Sequence, residues 1–268
     1  MQTSAFGFNS RGEKATLYTF ENSHGMVMKV TDFGATLYSL LILFVFIPLT
    51  LLLGTKLSGK GYYLTSTLII IETMLPFFLA FEGRKPQARE LVSIAVMAAL
   101  AVAGRVAIPI PNFKAVTAIV MITGIAFGPQ AGFMTGAIAA FASNFFYSQG
   151  PWTPWQMLSY GICGLICGIL FCNRKVQKTR YFIPAVSIFS FFCILFLAGP
   201  LLDSATLFTT GSRISWKFAL AVYTAGLPHN ITHGLSCAAT ILLIGKPLLG
   251  KLERLKTKYG LLNLRDSA

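Results

Sequence analysis

Two patterns of apolar and polar positions divide this chain. Up to about residue 36, apolar side chains recur at every second position, as in Ala15-Thr-Leu-Tyr-Thr-Phe20 and Met26-Val-Met-Lys-Val30. That is the period of short, half-buried strands. Beyond it, apolar residues come in nearly continuous runs separated by brief polar stretches. A run needs roughly 20 residues to span about 30 Å of hydrocarbon. Eight candidates present themselves: Leu37–Leu53, Tyr62–Phe81, Leu91–Ile108, Ala115–Phe127, Gln130–Tyr147, Pro154–Phe171, Tyr181–Leu201 and Phe218–Ile244. The fourth is short, and the last is long and interrupted at Gly226-Leu227-Pro228. The pattern predicts an all-α, polytopic membrane helix bundle of about eight transmembrane helices behind a β-prone segment.

The fifth and sixth runs meet at Phe141-Ala-Ser-Asn-Phe-Phe-Tyr-Ser-Gln-Gly-Pro-Trp-Thr-Pro-Trp-Gln-Met157. Gly150 and Pro151 end one helix, because proline has no N–H to donate. Thr153-Pro154 reads as a cap followed by proline in a first turn, which starts the next. Trp152 and Trp155 fall where a membrane–water boundary would lie, a position that indoles favour. Asn144 and Gln156 add amides on either side of the corner.

Composition supports a lipid environment: 54% of the 268 residues are hydrophobic and 12% charged, against about 25% charged in soluble domains. The net charge of +13 lies in basic clusters between the runs, so it reads as topology signals and contacts to anionic lipid rather than a nucleic-acid surface. Three such clusters occur, at Glu82–Glu90, Asn173–Arg180 and Lys246–Arg265. Each follows an even-numbered run, so all share one side. The positive-inside rule makes that side, and both termini, cytoplasmic at the plasma membrane. The tryptophan corner, the Pro109-Ile-Pro111 connection and the surroundings of Asp203 then face outward. The basic tail, with leucines interleaved over Leu248–Lys258, is expected either to lie on the inner leaflet or to form a solvated helix end. The five cysteines lie in or at the end of apolar runs with no Cys-x-x-Cys pair, as expected of reduced thiols rather than a metal site.

Polar groups inside a membrane are costly and tend to have a purpose. Glu72, near the middle of the second run, either pairs with a neighbour such as Arg105 or stays protonated. His229, Asn230 and His233 follow the Gly226–Pro228 interruption, with the histidines four residues apart on one helix face. No His-Glu-x-x-His motif surrounds them, so they are read as lining a cavity or capping a broken helix. Ala95, Ala99 and Ala103 form a small-residue stripe on the third run, and Gly161, Gly164 and Gly168 another on the sixth. Such stripes let helices approach closely; a contact within the chain is the expectation for both, above all for the glycines. No nucleophile elbow, Walker loop, dinucleotide fingerprint or acidic metal cluster is present. The expectation is a binding protein, not an enzyme, with no cofactor and with a partner that performs work.

Two resemblances follow from specific stretches. Phe6-Gly7, Leu17-Tyr-Thr-Phe-Glu-Asn22, Gly25-Met26 and Thr31-Asp-Phe-Gly-Ala-Thr-Leu-Tyr-Ser-Leu40 resemble the opening strands of aldose 1-epimerases. That segment stops before any of that family's catalytic positions and is read as a fusion remnant without epimerase activity. The span from about Leu37 to Leu255 resembles the substrate-binding S components of energy-coupling factor (ECF) vitamin transporters. It does so through Ile47-Pro-Leu-Thr-Leu-Leu-Leu-Gly54, Glu72–Glu90, Gly128-Pro-Gln-Ala-Gly-Phe-Met-Thr-Gly136 and Ser143–Met157.

This second resemblance implies four parts: the epimerase-like segment to residue 36, two additional helices over 37–86, a six-helix core over 87–248 and a basic tail from 249. It implies that a vitamin, of a type close to cobalamin, binds from outside between Asn144, Trp152, Trp155, Gln156 and the His229–Asn230–His233 segment. It also implies that Ala95, Ala99 and Ala103 dock on a scaffold transmembrane subunit coupled to two cytoplasmic ATPases. A stand-alone secondary transporter is the alternative, though no paired broken helices of an internal repeat stand out; a membrane enzyme is a lesser one.

Overall fold

The computed structural model describes residues 2–8, 14–21, 27–31, 45–46, 49–50, 61–83, 88–107, 113–209 and 215–259. Strands β1 (Gln2–Phe8), β2 (Lys14–Glu21) and β3 (Val27–Thr31) pair antiparallel in sequence order, with a register shift between Ala5 and Gly7. The helices are α1 (Gly61–Gly83), α2 (Ala88–Val106), α3 (Val116–Phe127), α4 (Pro129–Tyr147), α5 (Thr153–Phe171), the short α6 (Arg174–Gln177), α7 (Phe182–Thr209) and α8 (Trp216–Tyr259). Seven of these are long, so the count of eight is not reached among the described residues. The run Leu37–Leu53 lies almost wholly outside those residues, as does the Pro109-Ile-Pro111 connection. Helices α5, α7 and α8 are long and apolar enough to cross a membrane.

The short fourth run becomes the centre of the bundle. Every residue of α3 is buried, with α2, α4, α5 and α8 packed around it. Its 12 residues rise only ~18 Å. Wrapped by its neighbours, it does not have to match the bilayer thickness. Its turn into α4 is a single residue, Gly128, at φ +95°, which only glycine adopts without strain. Pro129 then opens α4 in a first turn that needs no donor.

Close backbone approach joins α3, α4 and α5. A Cβ at Gly124 would land on the Gly164 carbonyl oxygen, and one at Gly164 would collide with Gly132. A Cβ at Gly168 would meet Pro129, and one at Gly161 the Phe133 ring at 2.8 Å. The glycine stripe of α5 is therefore an internal seam, as its spacing predicts.

One expectation is corrected in α8. The helix runs unbroken from Trp216 to Tyr259 through Gly226-Leu227-Pro228. Proline removes one intrahelical donor, and the hydroxyls of Thr224 and Thr232 add local bonds to Leu220 O and Pro228 O, at 2.7 and 2.9 Å. The tail is a helix end, one of its two expected forms, with most of its residues exposed. It continues α8, buries Leu252 and packs Leu248 and Leu249 on the core. Lys256 Nζ donates to Ala126 O at 2.8 Å, and Gln177 Nε2 to Ile125 O at 3.3 Å and Phe171 O at 3.1 Å. These bonds satisfy carbonyls that helix ends leave without partners. Arg89 donates to Tyr259 O at 3.2 Å, so residues of all three basic stretches gather at one end of the bundle. The tryptophan corner lies at the other.

Candidate functional site

At the corner end, polar side chains from five helices converge. Arg105, near the end of α2, donates through Nη1 to Ser143 Oγ and, at 2.9 Å, to Asn144 Oδ1, both in the last turns of α4. Asn144 is fully buried and uses its other end on α5: its Nδ2 donates to Thr153 Oγ1 at 3.0 Å and Gln156 Oε1 at 2.7 Å. Thr153 Oγ1 donates to Gln149 Oε1 at 2.9 Å and accepts from Gly150 N–H at 3.2 Å. The corner turn is thus tied to both helices it joins. The chain leaves α4 through Ser148 at φ +75°, the one non-glycine positive φ among the described residues. Such geometry persists only where its surroundings hold it, and the Gln149–Gly150–Thr153 bonds do so here.

Aromatic rings flank this network. The Arg105 guanidinium carbon lies 5.0 Å from the Tyr147 ring centre and 5.9 Å from that of Tyr160, and Lys114 Nζ lies 5.6 Å from Tyr147. These are cation–π distances. Tyr147 Oη also donates to Arg105 O at 3.0 Å. Tyr160 meets His233 edge to face at 6.1 Å, and His233 Nε2 lies 3.1 Å from Thr117 Oγ1 of α3. A cation, two amides, hydroxyls and an imidazole thus converge on one another at this end of the bundle. Buried polar groups in such a network specify one arrangement because each needs its partner.

The expected site residues divide among four places. Asn144, Gln156 and His233 belong to the network. His229 and Asn230 do not; they face α7, where Asn230 Nδ2 donates to Asp203 Oδ2 at 2.8 Å and His229 lines a cavity of about 410 Å³ with Asp203 and Thr206. Four residues advance a helix by more than a full turn, enough to leave His229 exposed while His233 is buried. Trp155 packs in the apolar cluster with Met74, Phe133 and Leu158, stacked on Phe208 at 5.6 Å, and its indole N–H is buried with no described partner. Trp152 stays partly exposed at the corner, its ring over Gly150.

Glu72 does not pair with Arg105. It accepts from Thr50 Oγ1 at 2.5 Å. The sequence reading missed Arg105, Thr117, Ser143, Tyr147, Thr153 and Tyr160 as site residues. Arg105 carried the one available signal, a cation inside the last turn of an apolar run.

A second cavity, about 420 Å³, abuts the network through Gln149 and Thr153. Its other walls are Ile71, Met74, Leu75 and Phe78 of α1 with Phe141 and Met157. The alanine stripe lies elsewhere, and the contact within the chain that its spacing suggests is not made among the described residues. Ala95, Ala99 and Ala103 are exposed on α2, whereas Ala98 and Ala101 beside them are buried.

Residues 85–254 match the family model described as "ECF-type riboflavin transporter, S component". A UPF0397 protein of Streptococcus gordonii is 28% identical over 177 residues, covering 64% of this chain and 91% of that relative. A UPF0397 protein of Vibrio atlanticus is 30% identical over 118 residues, 42% of this chain and 64% of the relative. No solved structure matches. The family match takes in α2 to α8, every helix that contributes to the polar network. The chain therefore belongs to the family of ECF-type riboflavin transporter S components, membrane-embedded substrate-binding subunits of ECF transporters.

Proposed function

We propose that this subunit captures a vitamin or cofactor precursor at the tryptophan-corner end and delivers it for ATP-driven import by a scaffold subunit and two ATPases. The observation that carries this reading is the convergence of Arg105, Asn144, Gln156, Tyr160 and His233 from four helices at one end of an S-component core. The basic stretches gathered at the opposite end support a cytoplasmic placement of that end and of both termini. The exposed Ala95–Ala99–Ala103 face supplies the close-packing surface for the scaffold.

A flavin-sized ligand is the reading favoured for the substrate. The family description names riboflavin, and the cavity beside the network holds about 420 Å³, within the ~300–1,000 Å³ of small-molecule pockets. The tryptophan corner, with its likeness to cobalamin-linked S components, supports a corrinoid or its precursor as the second reading. Residues 1–36 take no part in capture and have no epimerase activity on this reading. The two additional helices of 37–86 precede the six-helix core.

The test is to purify the protein alone from cells grown in rich medium and take its absorption spectrum and the mass of any bound molecule. A stoichiometric flavin is the expected result. A stoichiometric corrinoid would establish the second reading. A protein that arrives empty and also fails to bind a vitamin panel would sink substrate capture.

A further inference from the structure

One face of α1 is turned towards the bundle and does not close on it. Ile71, Met74, Leu75 and Phe78 follow the i, i+3, i+4, i+7 spacing that puts side chains on one helix face. Met74 is 4% exposed in the cluster with Trp155 and Leu158, and the Phe78 ring meets Phe133 of α4 edge-on at 6.2 Å. Ile71 and Leu75, on that same face, stay 43% and 41% exposed. Between them and the α4–α5 corner lies the cavity of about 420 Å³. Helix α1 ends at Gly83, before the family match begins at residue 85, so this wall is not part of the matched core.

The lining of this cavity suits a flat, neutral ring. Phe78 and Phe141 offer aromatic faces, and Met74 and Met157 offer thioethers, which pack well against aromatic rings. Polar groups lie at the corner, where Gln149 and Thr153 join the cavity to the Asn144 network. The Gln149 amide gives one hydrogen to Phe141 O at 2.9 Å and accepts one bond from Thr153. A primary amide carries two hydrogens and two lone pairs. Among the described bonds, one donor and one acceptor therefore remain for an amide or imide edge on a ligand. A lipid chain would fill the apolar part and leave them unmatched. No charged side chain is among the described lining residues, so the ligand portion that the cavity suits is uncharged.

We infer that α1 is a wall of the capture site: the planar, uncharged ring of the ligand lies in this cleft against Met74, Leu75 and Phe78, with an amide-type edge towards Gln149. This rests on the capture function proposed above and assigns ring selection to a helix outside the matched core. A ring seated there supplies the contacts that an open cleft denies its lining atoms. Riboflavin, whose ring is uncharged and carries an imide edge, is the probe for this class of ligand.

Riboflavin binding to detergent-purified protein tests the inference, read by quenching of flavin fluorescence. Leu75→Trp fills the cleft and should weaken binding about tenfold or more, the scale of ordinary overpacking. Leu64→Trp is the control, at an exposed position of α1 that is not among the lining residues, and should bind as the unaltered protein does. Both variants should keep its melting temperature when empty. Cysteine is smaller than leucine, so Leu75→Cys and Leu64→Cys give a second reading that needs no bulky residue to be accommodated. Saturating riboflavin should slow maleimide labelling several-fold at position 75 and leave position 64 unchanged, over a background set by native cysteines of which four are buried. Lumichrome, the ring system alone, should displace riboflavin, and ribitol should not. Equal labelling at position 75 with and without riboflavin would overturn the inference and leave capture standing, whatever the tryptophan variant does. Failure of lumichrome to displace riboflavin would overturn it in the same way. If the unaltered protein binds no riboflavin, flavin capture and this inference fall together.

Discussion

Two stripes of small residues, on α2 and α5, are alike in sequence and opposite in fate. Gly161, Gly164 and Gly168 on α5 are consumed inside the molecule, where the α4 and α3 backbones lie against them. Ala95, Ala99 and Ala103 on α2 are exposed, with Val92, Val96 and Leu100 exposed around them. Lipid is as apolar as leucine, so helices in a membrane gain little from hiding apolar surface and much from close contact. A small-residue stripe therefore marks a place where another backbone comes near. It does not say whether that backbone belongs to the same chain. The α5 stripe is answered by Gly124 and Gly132; nothing in this chain's described residues covers the α2 stripe.

The largest effect that would break this comparison lies on the glycine seam. Gly164→Leu places a branched side chain where the Gly132 carbonyl and Cα already sit. Ordinary overpacking costs about 1–3 kcal/mol, and here the obstruction is backbone that cannot rotate away. Loss of monodisperse protein in detergent is expected, with ligand binding lost alongside. A Gly164→Leu variant of normal yield and melting temperature would mean that the α4–α5 contact is not what holds the core.

A smaller effect belongs to the inner face of α2. Ala98 is 3% exposed and Ala101 fully buried, in one cluster with Ile119, Ile122 and Met97. Ala98→Leu adds volume against side chains rather than backbone, so neighbours have room to adjust. A loss of about 1–3 kcal/mol is expected, seen as a lower melting temperature with the binding network intact. No change in melting temperature would place Ala98 at a looser contact than its burial shows.

How far the sequence carried the architecture depends on the kind of signal. Run length and spacing located α1 to α5, α7 and α8, because a continuous apolar stretch registers burial whatever its partner. The break expected at Gly226–Pro228 does not occur, because a local rule about proline ignores the surrounding helical bonds that carry α8 through it. In the tail, the burial of Leu252 in the core and the bond from Lys256 to the end of α3 are facts of packing with no local trace. In the site, Asn144 and Gln156 stood out as amides beside a corner. Periodicity sets His233 with His229, whereas tertiary contact sets it with Thr117 and Tyr160. Arg105 was seen only as a possible partner for Glu72. A cation's partner is fixed by three-dimensional proximity, which spacing along the chain does not encode.

The smallest effect on stability sharpens the comparison most. Ala99 is next to Ala98 in sequence and about 100° away around the helix, on the exposed face. Ala99→Leu adds its atoms at an exposed position, and exposed substitutions usually stay within about 0.5 kcal/mol. Melting temperature and ligand affinity of the isolated subunit should therefore match the unaltered protein. If the stripe serves a scaffold subunit, the added isobutyl group holds two backbones apart where they need to touch. Uptake into cells supplying the scaffold and ATPases should then fall at least tenfold, and the subunit should no longer co-purify with them. Ala98→Leu and Ala99→Leu form a matched pair with the same added atoms on two faces of one helix. Stability should fail in the first and assembly in the second. Unimpaired uptake by a normally folded Ala99→Leu subunit would show that this stripe meets lipid alone, and that the scaffold docks on another face.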